Sequence, residues 1–418
     1  MKWPTYSLGQ LCEISTGRTP SRARPEYFGG EHVWVTISDL NDDVVSDSRE
    51  RITDLALTET NIQPVAPGTV LLGYKLSLGK LGIAGKRLYT NEAIAALPPK
   101  SGVPVLNKFL LYALKRVDYL ALCHGAVKGN CLNRASLEQI RVPLPPLSEQ
   151  RRIVEILDQA DALRRKRAEA DAKAARILPA LFYKMFGDPV TNPRAWVVLR
   201  IGDFADVQGG LQLTPARKEL SLKVSYLRVA NIYRDQLDLS EIKLIGATKD
   251  EIERTRLRQD DILIVEGHGN PLEIGRSAVW NGSIDPCVHQ NHLIRARVDQ
   301  SKVLPLYISH FLNSSGGRLQ LIRSGKTTSG LNTISVGNVK AVKVPVPPLD
   351  LQKRYVEKAE TVSAAADHGQ LANASIDRLF LSLLGHAFSG ALTAKWREAH
   401  MRELLGEMEE QAKVVGTK

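Results

Sequence analysis

Four short stretches of the chain carry side chains of types and spacings that could do chemistry. Arg323-Ser-Gly-Lys-Thr327 resembles the end of a phosphate-binding loop, but Gln320 stands where that loop needs its first glycine. Gly267-His-Gly269 lacks the third glycine of a dinucleotide loop. Cys287-x-His289-x-x-His292 offers metal-capable ligands. On a strand, residues 287 and 289 share a face and 292 points away, so core packing or a polar DNA-facing role is the better expectation than zinc. Cys123 beside His124 reads as a loop pair and not as a nucleophile with its base. No Asn/Asp-Pro-Pro-aromatic tetrapeptide is present, so no amino-methyltransferase site is expected on this chain.

The chemistry that remains is recognition of a polyanion. Lysine and arginine exceed aspartate and glutamate by 11, and the pI is near 9.4. Such a surplus attracts nucleic acid. Basic and amide residues in turns are the candidates for DNA contact. In the first half these are Arg18 with Thr19, Arg22, Arg24, Lys75, Lys80 and Lys128. In the second they are Arg217, Lys218, His268, Asn270, Arg276, Arg323 and Lys326. Arginine can grip guanine through two hydrogen bonds, and asparagine can grip adenine. Asn91 and Asn291 recur in both halves and read as structural. The four cysteines (Cys12, Cys123, Cys131, Cys287) show no CxxC spacing and fit a reducing compartment. With no signal-peptide core at the N-terminus and no apolar run of about 20 residues, a cytoplasmic protein is expected, with no membrane partner.

The elements that would position these residues occur twice. Val142-Pro-Leu-Pro-Pro-Leu-Ser-Glu-Gln150 matches Val344-Pro-Val-Pro-Pro-Leu-Asp-Leu-Gln352, and the register continues on both sides: Asn130 with Asn332, Ile140 with Val342, Glu155 with Glu357. Fainter matches keep the same order. Trp34-Val-Thr-Ile-Ser-Asp-Leu40 corresponds to Tyr226-Leu-Arg-Val-Ala-Asn-Ile232, and Asn91-Glu-Ala-Ile94 to Asn291-His-Leu-Ile294. The chain is therefore a tandem duplication. In each half, β-branched runs such as Val33–Ile37, Val70–Leu72 and Ile262–Val265 read as strands, while 108–115 and 305–312 read as short helices. The fold class is α+β: two mixed α/β domains joined by two long antiparallel helices in a coiled coil.

Proline fixes φ and biases its predecessor away from the helical region, so each Pro-rich hinge is a stiff extended arm. Ser148 and Asp350 are expected to N-cap the helices that follow. Ile153, Ile156, Ala160, Leu163, Arg167, Ala170, Ala174, Ile177 and Leu181 form a heptad seam in the first helix. Tyr355, Ala359, Val362, Ala366, Gly369, Asn373, Ile376, Phe380 and Leu383 form one in the second. A helix of about 35 residues is roughly 50 Å long and would hold two domains at a spacing suited to separated DNA sites. The resulting segments are 1–147 (first domain), 148–186 (first long helix), 187–349 (second domain), 350–385 (second long helix) and 386–418, an amphipathic tail.

These residues resemble the specificity subunits of type I restriction-modification enzymes. The hinge Pro143-Leu-Pro-Pro-Leu-Ser-Glu-Gln150 is similar to the end of the family's target-recognition domains. Thr16-Gly-Arg-Thr-Pro20, Pro25-Glu-Tyr-Phe-Gly-Gly30, Lys75-Leu-Ser-Leu-Gly-Lys80 and Tyr89-Thr-Asn-Glu-Ala-Ile94 resemble one common domain type. Met185-Phe-Gly-Asp-Pro189 and His386-Ala-Phe-Ser-Gly-Ala-Leu392 resemble the exits from the long helices. The resemblance implies two readers of a split target in double-stranded DNA, with the helices as a ruler and as docking surface for two modification subunits. It also implies that S-adenosylmethionine is held by those subunits, that ATP and Mg are held by two restriction subunits where present, and that this chain carries no catalytic site and no cofactor. The second domain departs from the common type at Gly209–Pro215 and Pro271–Gly275, which implies an asymmetric target. The alternatives are a free-standing sequence-specific DNA-binding protein and a nuclease with its own active site.

Overall fold

The structure is a computed structural model that describes residues 3–123, 132–328 and 331–416. Two compact units emerge: Met1–Arg167 with Ala372–Lys418, and Ala168–Leu371. The predicted segments are thus regrouped, because each unit takes a portion of both long helices.

The duplication is visible in the sheets. In the first unit a five-stranded sheet runs in the order Ser15–Thr16, Ile94–Leu97, Val70–Gly73, Leu81–Ala84, Val44–Val45. In the second, a four-stranded sheet runs Ala205–Gly209, Leu293–Val298, Ile262–Val265, Ser277–Val279. Each unit adds a three-stranded sheet with one parallel pairing at matching positions. Trp34 faces Tyr89 across the parallel pair of the first, and Tyr226 faces Val288 in the second. The central strands Val70–Gly73 and Ile262–Val265 are buried along their whole length, as unbroken apolar runs predict.

The hinges are extended, as their prolines require. Arg141–Pro143 pairs antiparallel with Thr5–Ser7, and Lys343–Val346 with Val197–Arg200. The helices begin at Leu147 and Leu349, two residues earlier than a Ser148 or Asp350 cap allows. Both residues therefore lie inside the first turn. The Pro146 and Pro348 carbonyls accept the first helical bonds, from the Gln150 N–H at 2.9 Å and the Gln352 N–H at 3.2 Å.

What holds each hinge is a glutamine. Gln150 is fully buried; its Nε2 donates to the carbonyls of Pro104 and Pro145, both at 2.8 Å, and its Oε1 accepts the Leu106 N–H at 2.9 Å. Gln352, equally buried, repeats the arrangement with the Pro347 carbonyl at 2.8 Å and the Leu304 N–H at 2.9 Å. One side chain thus ties the Pro-rich arm to the start of the short helix, Asn107–Leu114 or Pro305–Asn313.

The first long helix runs Leu147–Ala174 and, after a turn, resumes as Ile177–Phe186; the second is continuous over Leu349–Ser389. The seam predicted for the second helix faces inward: Tyr355, Ala359, Gly369 and Phe380 are buried, and the intervening members are half-buried. The seam predicted for the first holds at Ile153, Ala160, Arg167 and Ala174 and shifts by one residue at the positions between them. Leu163 and Ile177 are 49% and 47% exposed, while their neighbours Arg164 and Leu178 turn inward. Within the first unit, Arg164 lays its guanidinium 4.5 Å from the Phe380 ring centroid and pairs with Asp377 at 2.7 Å, and Arg167 donates to Asn373 at 3.1 Å. Arginine can serve in a seam because its stem packs while its head is paired. Within the second unit, the Phe182 and Phe186 rings meet Tyr355 edge-on at 5.6 and 5.0 Å. Within the first unit, going from Arg164 to Arg167 moves the partner back from Asp377 to Asn373, which is the antiparallel sense.

The tail forms two helices, Ala394–Ala399 and Met401–Gly416, and belongs to the first unit. Leu404 and Val415 are buried, and Gln411 donates to the Leu144 carbonyl of the hinge at 2.9 Å. Arg397 and Glu149 form an ion pair at 2.7 Å with side chains only 8% and 1% exposed. Glu149 also accepts from Thr393 at 2.5 Å and from the Trp3 indole at 2.9 Å. Among the described residues no helix is long and apolar enough to cross a membrane.

Candidate nucleic-acid interface

Each buried central strand ends in a loop, and the two loops are closed in the same way. In the first unit the Gly79 N–H donates to the Gly73 carbonyl at 2.9 Å; in the second the Gly275 N–H donates to the Val265 carbonyl at 2.9 Å. Both glycines have positive φ, +78° and +71°. A Cβ on either would lie 2.7 Å from the Tyr119 ring or 2.3 Å from Leu321, so glycine is required at both closures. A second bond is also shared. The Tyr74 carbonyl accepts the Leu132 N–H at 3.0 Å, and the Glu266 carbonyl accepts the Ile334 N–H at 2.9 Å.

On these matched bases the loops differ. The first, residues 74–78, puts Leu76 at its tip, 81% exposed and at φ +62°. An exposed leucine in the left-handed region is unfavourable twice over, a combination that gathers at functional sites. Lys75 stands beside it with its Nζ 5.4 Å from the Tyr74 ring centroid, and Lys80 lies exposed just beyond the closure. The second loop, residues 266–274, is longer and polar. The short strand Gly267–His268 pairs with Leu331–Thr333, which in turn pairs with Lys326–Thr328. Arg323 is exposed beside that hairpin.

Several candidates from the sequence sit elsewhere or are already engaged. Arg22 forms a two-pronged pair with Glu50 at 2.5 and 3.0 Å, its guanidinium 4.5 Å from the Phe28 ring centroid. Arg24 pairs with Glu26 at 2.7 Å and Glu59 at 2.5 Å. Arg18 donates to the Thr60 carbonyl at 2.8 Å, and Thr19 donates to Glu92. Arg217 clamps Glu251 through two bonds of 2.9 and 2.8 Å, which hold that carboxyl well below its ordinary range. Arg276 is buried, its guanidinium held by Glu273 and the Val229 carbonyl. Lys218, like Arg323, is exposed and has no acidic partner among the described residues. Lys128 and the side chain of Lys326 lie outside the described residues. Asn91 uses its side chain to accept the Ala93 N–H at 3.2 Å, a turn-forming bond. The Leu76 tip was missed because its oddity is a backbone angle.

Cys287 and His289 share a buried strand, but His289 donates from Nδ1 to the Leu293 carbonyl at 3.0 Å; it does not converge with the thiol. His292 is instead on the surface, 3.9 Å from Glu266. Burial pushes the Cys12 and Cys287 thiols up to about 12, as befits unreactive core residues. Burial also drives His289 down to about 4 from 6.5. Between those values the unfolded chain binds the extra proton, so stability is full above pH 6.5 and declines as pH falls toward 4. The loss amounts to about 3 kcal/mol at most. Urea midpoints across this range should fall for the wild type and fall less steeply for His289→Leu. An identical slope in the variant would assign the effect to another group.

Comparison with known proteins gives a consistent picture. The family model for the type I restriction modification DNA specificity domain matches residues 1–170 and again 193–373. The EcoKI specificity subunit of Escherichia coli K12 is 27% identical over 389 residues, covering 85% of this chain and 82% of that protein. The StySPI specificity subunit of Salmonella potsdam is 27% identical over 384 residues, covering 82% and 80%. Among solved structures, the S subunit of a type I restriction-modification system from M. genitalium superposes with a TM-score of 0.53 at 16% identity, over 93% of this chain and 96% of that one. A chain from a structure describing assembly and conformational transition of the type I R-M system gives 0.57 at 17% identity, over 94% and 98%. At those identities the superpositions establish the fold.

Proposed function

Because the chain belongs to the type I restriction-modification specificity family, we propose that it reads a split, asymmetric target in double-stranded DNA, one part with each unit. The observation that carries this is the pair of loops with identical closures and different tips, Leu76 in one and His268 with Asn270 in the other. A duplicated scaffold with divergent tips is what two readers of two different sequences require. Lys75, Lys80, Lys218 and Arg323 supply charge for phosphates, which fix position without reading sequence.

In this reading the long helices set the spacing between the parts of the target and dock two modification subunits. Those subunits hold S-adenosylmethionine and methylate adenine. Where DNA is cut, two restriction subunits hold ATP and Mg. The chain's own role is recognition, carried out in the cytoplasm.

Exchange of residues 1–142 for those of a relative with a different target tests the reading. Sequencing of methylated bases in cells carrying the hybrid should show one part of the target changed and the other retained. A change in both parts, or in neither, would remove the two-reader model.

A further inference from the structure

We infer that His268 and Asn270 form a donor-only edge that reads a guanine in the part of the target bound by the second unit. The inference rests on the function proposed above and makes it chemically specific.

Both side chains already have an acceptor atom engaged by the backbone. The Asn270 N–H donates to His268 Nδ1 at 3.0 Å. A ring nitrogen that accepts carries no proton, so the neutral imidazole holds its hydrogen on Nε2, the atom left to face outward. Asn270 in turn accepts the Leu272 N–H on Oδ1 at 3.0 Å, capping the short turn Pro271–Glu273. Its Nδ2 group, a pure donor, remains. Neither Nε2 of His268 nor Nδ2 of Asn270 has a partner among the described residues. Gly269 lies between them, and a Cβ built there would meet nothing within 4 Å, so the approach is open. The Gly269 carbonyl accepts from Asn332 Nδ2 at 3.4 Å, which ties the loop to the neighbouring hairpin.

The two free groups therefore offer hydrogens and no lone pairs. In the major groove guanine presents two acceptors, N7 and O6, whereas adenine presents one acceptor and one donor. The adenine grip that asparagine makes with both ends of its amide would ask the Oδ1 that already caps Leu272 to accept a second hydrogen, whereas guanine needs only the free donors. A phosphate also offers only acceptors. Two uncharged donors on a loop of their own suit a base edge better, since cations such as Arg323 stand apart for the backbone.

The test uses the full chain co-purified with its modification subunit, selecting from duplexes randomised across the target. Asn270→Asp keeps the oxygen that caps Leu272 and replaces the outward donor by an acceptor. His268→Ala removes the other donor. Each variant should lose guanine preference at one position of the second unit's sequence, by on the order of tenfold, and keep the first unit's sequence unchanged. For Asn270→Asp, a shift toward a pair presenting a donor at that position would be further support. The inference is overturned if both variants select the wild-type sequence. It is equally overturned if they weaken binding to all sequences alike with a shallower salt dependence, which marks a phosphate contact. A wild-type complex that selects no split sequence would overturn the proposed function itself, and this assignment with it.

Discussion

Arg397→Met is expected to destabilise the first unit by about 3–5 kcal/mol, the loss typical when one partner of a buried ion pair is removed. Glu149 would keep its bonds from Thr393 and Trp3, but its charge would be left 1% exposed with no counter-ion. The tail would lose one of its anchors on the hinge at the same time, keeping the bond from Gln411 to the Leu144 carbonyl. The chain supplies its own control, because the hinge of the second unit carries Leu351 where the first carries Glu149. The double variant Glu149→Leu with Arg397→Met should therefore recover much of the loss, since an apolar pair avoids the desolvation of two charges. Denaturant unfolding followed by circular dichroism would measure both. A single variant with an unchanged midpoint would mean that the ion pair does not hold the tail.

The second large effect belongs to the hinge glutamines. Gln150→Leu keeps the apolar volume but strands the Leu106 N–H and the Pro104 and Pro145 carbonyls in a buried place. Each unpaired buried group costs about 1–3 kcal/mol, so about 3 kcal/mol or more should be lost. Gln352→Leu should cost a similar amount in the second unit, where the Leu304 N–H and Pro347 carbonyl lose their partner. Gln150→Glu should also destabilise, because it keeps an acceptor for Leu106 and turns a lone pair toward the prolyl carbonyls. Unchanged unfolding midpoints for the leucine variants would mean that the prolines alone set the hinge.

The contrast between these glutamines and the arginines of the first unit explains what was legible in the sequence. Gln150 and Gln352 stand at the same place in the most similar stretch of the two halves, so the pair itself was visible. Its role was not, because the partners Leu106 and Leu304 lie more than 40 residues upstream. The prolines acted through local stereochemistry, and the extended arms followed from them. Ser148 and Asp350 have the right type for a cap, yet the proline carbonyls start the helices two residues earlier. The second helical seam was readable because its apolar members are its inward members. The first was readable at Ile153, Ala160, Arg167 and Ala174 and moved by one position between them, as where Arg164 turns inward and Leu163 stays outside, a choice made by Phe380 and Asp377.

The candidates for DNA contact were the least legible. Positive charge in a turn marked Arg22, Arg24 and Arg217 as readily as Lys75 or Arg323. Glu50, Glu59 and Glu251, which engage the first three, are 28, 35 and 34 residues away. Only the folded chain separates a cation that braces the scaffold from one that is available to a phosphate. His268 and Asn270 were marked as polar turn residues, but their hydrogen-bonding sense came from which atoms the backbone had already used.

The division of the chain into units bears on the order in which the protein can be completed during synthesis. The second unit is one uninterrupted stretch, Ala168–Leu371, so all of its residues are available before residues 372–418 are made. The first unit is begun first and finished last, because Phe380, Phe388, Arg397 and Val415 all belong to it. Its nascent domain must wait, with its hinge uncovered and Glu149 unpaired, through the making of the entire second unit. A premature stop between Leu371 and Phe380 would consequently damage the unit that contains Met1–Arg167, which is already made by then.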